Sequence, residues 1–124
     1  MTVSIIIHVK EVNDYVKESI PHILNLDYKD FEILIFPDIP SVDSFPNTTV
    51  IPTGNIGPAE KRDLAIKYAK GEILAFLDDD AYPRKDWLNN ALRHFDNPQV
   101  AAVGGPAVTP VSDSFLQRVS GAVF

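Results

Sequence analysis

The sequence predicts an α/β fold with a mostly parallel sheet flanked by helices. Two observations carry that expectation. Apolar runs recur along the chain, and the first, Val3-Ser4-Ile5-Ile6-Ile7, is nearly continuous and β-branched, which suits a strand covered on both faces. Segments of helical spacing separate these runs, which is the order of βαβ units. The 124 residues suffice for one domain, so residues 1–124 are assigned to a single domain. A content of 45% apolar and 23% charged residues is that of a chain that buries a core.

Each element has a local reason. Asn13 or Asp14 can cap the helix after the first strand. Val16, Ile20, Ile23 and Leu24 then form one apolar stripe. Pro21 breaks the pattern, since a proline inside a helix removes a hydrogen bond and kinks the axis. Residues 31–36 read as a second buried strand. Pro37, Pro40 and Pro46 mark an irregular loop, and residues 48–51 a short third strand. Gly57-Pro58 opens a helix, with proline at its tolerated first position. Leu64, Ala65, Tyr68 and Ala69 are its expected inward face, and Gly71 its expected left-handed cap. Residues 73–77 form the fourth strand and residues 85–95 a helix in which Trp87 and Phe95 face the core. Residues 100–108 read as a fifth extended stretch, and Asp113 as the cap of a last helix.

Charge and composition exclude several functions. Seventeen acids against eleven bases give a net charge of −6, which repels nucleic acid. With no cysteine, disulfides, thiolate metal sites and cysteine nucleophiles are excluded. No apolar run approaches the roughly 18 residues that cross a bilayer. The start Met1-Thr2-Val3-Ser4 lacks the basic region of a secretory signal, so the expected location is the cytoplasm. The end, Ser120-Gly121-Ala122-Val123-Phe124, is apolar where natural termini are usually polar. A piece of a longer protein is therefore expected.

The chemistry points to Asp78-Asp79-Asp80, directly after the strand Ile73-Leu74-Ala75-Phe76-Leu77. Ligands of open α/β sheets bind beyond the carboxyl ends of strands. Neighbouring carboxylates repel one another unless a cation joins them, and hard dications such as Mg²⁺ or Mn²⁺ take oxygen ligands. In extended geometry Asp78 and Asp80 project to one side and Asp79 to the other. A solvated acidic loop is the bland alternative. Asp38 follows the second strand and flanks the same crevice, although an isolated aspartate in that place is commonly a turn residue. Lys61 and Arg62 stand in the first turns of the helix opened by Gly57, whose free N–H groups attract anions. Arg62 could instead pair with Glu60 or Asp63. His8, His22 and His94 read as packed or surface residues. Gly54-Asn55-Ile56-Gly57 lacks the Lys-Ser or Lys-Thr of a phosphate loop, and no serine nucleophile elbow occurs.

Taken together these segments resemble the family 2 glycosyltransferases. The resemblance covers the opening strand with Glu11 and Tyr15, then Asp30-Phe31-Glu32-Ile33 through Asp38. It continues through Gly57-Pro58-Ala59-Glu60-Lys61-Arg62-Asp63, the strand ending in Asp78-Asp79-Asp80, and residues 83–88 with Asp86-Trp87-Leu88. An Asp-X-Asp triplet alone is weak; the pieces in order are specific. The resemblance implies a Rossmann-like GT-A fold, truncated here, and a nucleotide-sugar donor, first of all a UDP-sugar. It further implies that Val9 and Glu11 lie against the base and ribose, and that Asp38 bonds the base. Arg62, with Lys61, would approach the base or diphosphate. Asp79 would sit beside the ribose, and Asp80, supported by Asp78, would ligate Mn²⁺ or Mg²⁺. His8 stands where the family usually has proline, and Pro37 where it often has aspartate. The carboxylate base of inverting members lies beyond Phe124, so this chain alone is expected to show little or no turnover.

Two other classes stand beside this reading. One is an inert nucleotide-binding or structural domain, self-associating into a homo-oligomer through an exposed sheet edge. The other is a phospho-receiver. That needs acids after strand one, a phosphoacceptor after strand three and a lysine after strand five. The triplet after strand four and Gly104-Gly105-Pro106 in the fifth stretch do not fit it.

Overall fold

The computed structural model describes residues 1–104. Met1–Asn89 form one compact unit, and a second begins at Asn90. The first carries β1 (Val3–His8), α1 (Asp14–Leu24), β2 (Phe31–Phe36), β3 (Thr48–Val50), α2 (Pro58–Tyr68) and β4 (Ile73–Phe76). A short α3 (Trp87–Leu92) follows. The described part of the second unit holds a 3₁₀ turn, Arg93–Asp96, and residues 101–104 form neither helix nor strand.

All pairings in the sheet are parallel, in the order β3-β2-β1-β4. Ile5 lies opposite Ile33 on one side and Ala75 on the other. This order decides where the helices go. The β1-to-β2 crossover moves one way along the sheet and the β3-to-β4 crossover moves the other way. Both must be right-handed, so α1 and α2 cover opposite faces. On the α2 face, Ala65 packs with Ile6, Leu34 and Phe36, flanked by Leu64, Ala69 and Ile51. The opposite face presents Val3, Ile5, Ile7, Ile33 and Ile35, all fully buried. Burying each isoleucine contributes about 2–3 kcal/mol, which makes the two central strands the stable heart of the fold.

Asn13 caps α1: its side chain accepts from the Val16 N–H at 2.9 Å. Val16, Ile20 and Ile23 are buried as the spacing required, and Leu26 joins them just past the helix. The helix runs through Pro21 and closes normally, with Asn25 N–H donating to the Pro21 carbonyl at 3.1 Å. The ring leaves the Lys17 carbonyl without its usual donor. Pro21 is exposed, so nothing in the core needs it. Pro21→Ala is therefore expected to stabilise the protein by about 1 kcal/mol. Part of the helix gain is offset by a more flexible unfolded chain. A thermal melt reads this as a rise of about 3 °C.

Several local expectations need correction. β3 ends at Val50 rather than 51, though Ile51 N–H still reaches the Ile35 carbonyl at 2.8 Å. The helix expected over 85–95 is α3 followed by the 3₁₀ turn. Trp87 and Phe95 are only half-buried, and Leu88 is the buried residue of α3. Tyr68 is 50% exposed, and its ring meets Phe36 of the core edge-on. Gly71 is no left-handed cap, because Gly54 is the only described glycine at positive φ. Close packing, not dihedral freedom, requires glycine there. The far half of the 100–108 stretch and the helix at Asp113 lie outside the described residues. Among the described residues, no helix is long and apolar enough to cross a membrane.

Candidate donor site at the strand ends

The strand order reverses between β1 and β4, and this reversal opens a crevice beyond their carboxyl ends. Backbone hydrogen bonds tie its walls together. Val9 N–H donates to the Phe36 carbonyl at 3.3 Å, and Asp38 N–H to the Lys10 carbonyl at 2.8 Å. Thr53 N–H donates to the Pro37 carbonyl and Gly54 N–H to the Asp38 carbonyl, both at 2.9 Å. The loops after β1, β2 and β3 are thus one laced rim. They enclose an open cleft of about 290 Å³, lined by His8, Val9, Lys10, Asp38, Asn55, Ile56, Gly57, Pro58 and Lys61. No side chain caps Gly57 at the start of α2. The first N–H groups of that helix, and its positive dipole end, therefore open towards the cleft.

Lys61 is only 3% exposed. Its ammonium donates to the Val9 carbonyl at 2.6 Å, the Phe36 carbonyl at 3.0 Å and the Asp38 carboxylate at 2.5 Å. An ammonium has three donors, so these bonds use them all. The Asp38 side chain remains 18% exposed. Arg62 is exposed, and its guanidinium lies 3.1 Å from Nε2 of His8. Arginine can only donate, so in this contact the histidine nitrogen is the acceptor.

Beyond β4, Leu77 N–H continues the ladder to the Ile6 carbonyl at 3.0 Å. Exposure then alternates: Asp78 and Asp80 are exposed and Asp79 is half-buried. Asp79 accepts from the side-chain N–H of Asn13 at 3.0 Å. One amide thus caps α1 with its oxygen and holds the end of β4 with its nitrogen, across the reversal point. Among the described residues, the carboxylates of Asp78 and Asp80 bond no protein donor, and no three histidine or acidic side chains converge on one point.

The expected residues fall into four groups. Val9, Asp38 and Lys61 line one cleft. Arg62 reaches its edge through His8. Asp78, Asp79 and Asp80 stand at the end of β4, while Glu11 is exposed on the loop between β1 and α1. Lys10, Asn55 and Ile56 line the cleft although no motif singled them out. Their signal was positional, since Lys10 lies just past β1 and Asn55 and Ile56 lead into the start of α2. The Asn13–Asp79 bridge had no signal beyond the capping role of Asn13.

A parallel α/β sheet with oxygen donors and a helix N-terminus gathered at its strand reversal is the architecture of the GT-A glycosyltransferases. The model of glycosyl transferase family 2 matches residues 4–122, and the chain belongs to that family. A β-1,3-glucosyltransferase of Escherichia coli, WfaP, which uses UDP-Glc, is 30% identical over 107 residues, covering 79% of this chain and 43% of that protein. The pre-mycofactocin glycosyltransferase of Mycobacterium tuberculosis is 40% identical over 55 residues, 44% of this chain and 12% of that protein. The chain thus spans less than half the length of these curated relatives. Among solved structures, Staphylococcus aureus TarS 1–349 in complex with UDP-GlcNAc superposes with a TM-score of 0.67 at 23% identity. That match covers 89% of this chain and 39% of TarS 1–349. The mannosyltransferase PcManGT of Pyrobaculum calidifontis, in complex with GDP-Man and Mn²⁺, gives 0.70 at 24% identity, covering 84% of this chain and 36% of that one. Both likenesses bear on the fold.

Proposed function

We propose that this chain carries the donor half of a metal-assisted glycosyltransferase site, whose intact parent transfers a sugar to an acceptor hydroxyl. The observation that carries the reading is the laced cleft: it brings Val9, Asp38 and the start of α2 together. Family membership and the nucleotide-sugar complexes of the structural neighbours favour this over an inert domain. The base and ribose of a nucleoside diphosphate lie against Val9 and Glu11, and Asp38 accepts from a base N–H. Arg62 and the helix N-terminus meet the diphosphate. Asp79 takes the ribose side.

The donor set at Asp78 and Asp80 fits a hard dication. Both carboxylates are exposed and unbonded among the described residues, and Mg²⁺ or Mn²⁺ commonly takes one or two carboxylates with phosphate oxygens and water. When bound, such an ion offsets the charge that grows on the departing diphosphate. The general base for the acceptor hydroxyl would come from the part of the intact parent that this chain does not span.

Calorimetric titration of UDP, with and without Mn²⁺, tests this. Binding is expected to require the metal, and Asp80→Ala is expected to weaken it by about tenfold. Absence of UDP binding under both conditions would remove the reading. A GDP titration alongside reads base preference, which the Pro37 position leaves open.

A further inference from the structure

We propose that Lys61 is a positioning residue of the donor site: its ammonium sets the Asp38 carboxylate and does not bind the diphosphate. This rests on the donor-site reading and departs from the expectation that Lys61 approaches the ligand. The first ground is saturation. All three ammonium protons are committed to the Val9 carbonyl, the Phe36 carbonyl and Asp38. A phosphate oxygen could gain a proton only by breaking one of these bonds. The second ground is burial, at 3% exposed. A buried ammonium is tolerated where its acceptors are complete, and these are.

The third ground is what the three acceptors join. The Phe36 carbonyl ends β2, the Val9 carbonyl directly follows β1, and Asp38 stands on the loop just beyond β2. Lys61, projecting from α2, is therefore one pin through two strand ends and the cleft wall. It leaves Oδ2 of Asp38 as the oxygen without a partner among the described residues. That oxygen is the fixed acceptor for an N–H on a nucleobase. The charge for the diphosphate must come from elsewhere, and the exposed Arg62 is the adjacent cation.

The test separates the two ends of the ligand. Uridine, UDP and inorganic pyrophosphate with Mn²⁺ are titrated against wild type, Lys61→Met, Asp38→Asn and the double variant, with folding checked by melting. Lys61→Met is expected to weaken uridine and UDP alike, by about tenfold, and to leave pyrophosphate within about twofold. The double variant should bind uridine no worse than Asp38→Asn, because Lys61 acts through Asp38. Loss of pyrophosphate affinity, or additive losses on uridine, would overturn the proposal.

Amine acetylation read by mass spectrometry gives a measure without ligand. Lys61 should label far more slowly than the exposed Lys10 and Lys67, and faster once Asp38→Asn has removed its charged partner. Equal rates in wild type would overturn the proposal, and so would an unchanged Lys61 rate in Asp38→Asn. The second measure decides if Lys61→Met does not fold. Wild type that binds no UDP while Lys61 stays protected would instead refute the donor reading.

Discussion

Gly71→Ala is expected to lower the melting temperature by about 10 °C, corresponding to about 3 kcal/mol. A Cβ at this position would stand 2.6 Å from both the backbone nitrogen and the Oγ of Ser4, and 2.8 Å from the Thr2 carbonyl oxygen. Two of these neighbours are backbone of the strand entry, so no rotamer change relieves them. The place is also a hydrogen-bonded hub. Gly71 N–H donates to Ser4 Oγ at 2.8 Å, and Ser4 in turn donates to Glu32 at 2.6 Å. The same Glu32 oxygen accepts from Lys70 N–H at 2.7 Å, and Glu72 N–H donates to the Thr2 carbonyl at 2.9 Å. Moving Gly71 outward to admit a methyl group would strain this set, and Ser4 is fully buried. Gly57→Ala is the control, since its nearest neighbour is a Glu60 side-chain oxygen at 3.9 Å. A Gly71→Ala protein that melts with wild type would refute the tight crossing of β1 by the segment before β4.

Asn13→Ala is expected to cost about 2 kcal/mol, in two parts. Losing the cap of α1 costs about 1 kcal/mol. Losing the bond to Asp79 costs about 1 kcal/mol more, since a half-buried carboxylate then lacks its donor. Asn13→Ser separates the parts: serine still caps but cannot span to Asp79. Chemical denaturation should therefore place Asn13→Ser about midway between wild type and Asn13→Ala. In UDP titrations with Mn²⁺ only the bridge matters, so the serine and alanine variants should be equally weakened. A serine variant with wild-type affinity would show that the bridge leaves the end of β4 where it was.

Much of this protein was legible along the chain. The apolar runs predicted β1, β2 and β4 because a strand covered on both faces needs apolar residues throughout. Asn13, Pro58 and the apolar stripe marked the helices through local capping and periodicity. The aspartate triplet stood out because it follows a buried strand. The Lys61 contact, by contrast, spans 52 residues to Val9, and the Asn13 bridge spans 66 to Asp79. At Lys61 the local reading was a cation in the first turns of a helix, within reach of a base or diphosphate. Tertiary structure buries it, because α2 sets that position against the ends of β1 and β2, where the Val9 and Phe36 carbonyls and Asp38 accept its three protons.

Gly71 shows the same division. A glycine after a helix reads as a left-handed cap, yet the structure uses it for want of a Cβ against Ser4, 67 residues away. What the chain determined by itself was therefore what neighbours within a few residues settle: strand or helix, cap and turn, and carboxylates at a strand end. What only the tertiary structure decided was which polar groups meet across the strand reversal and which are buried. Those outcomes depend on strand order and on right-handed crossovers, which place distant residues within a hydrogen bond of one another and have no signature in local spacing.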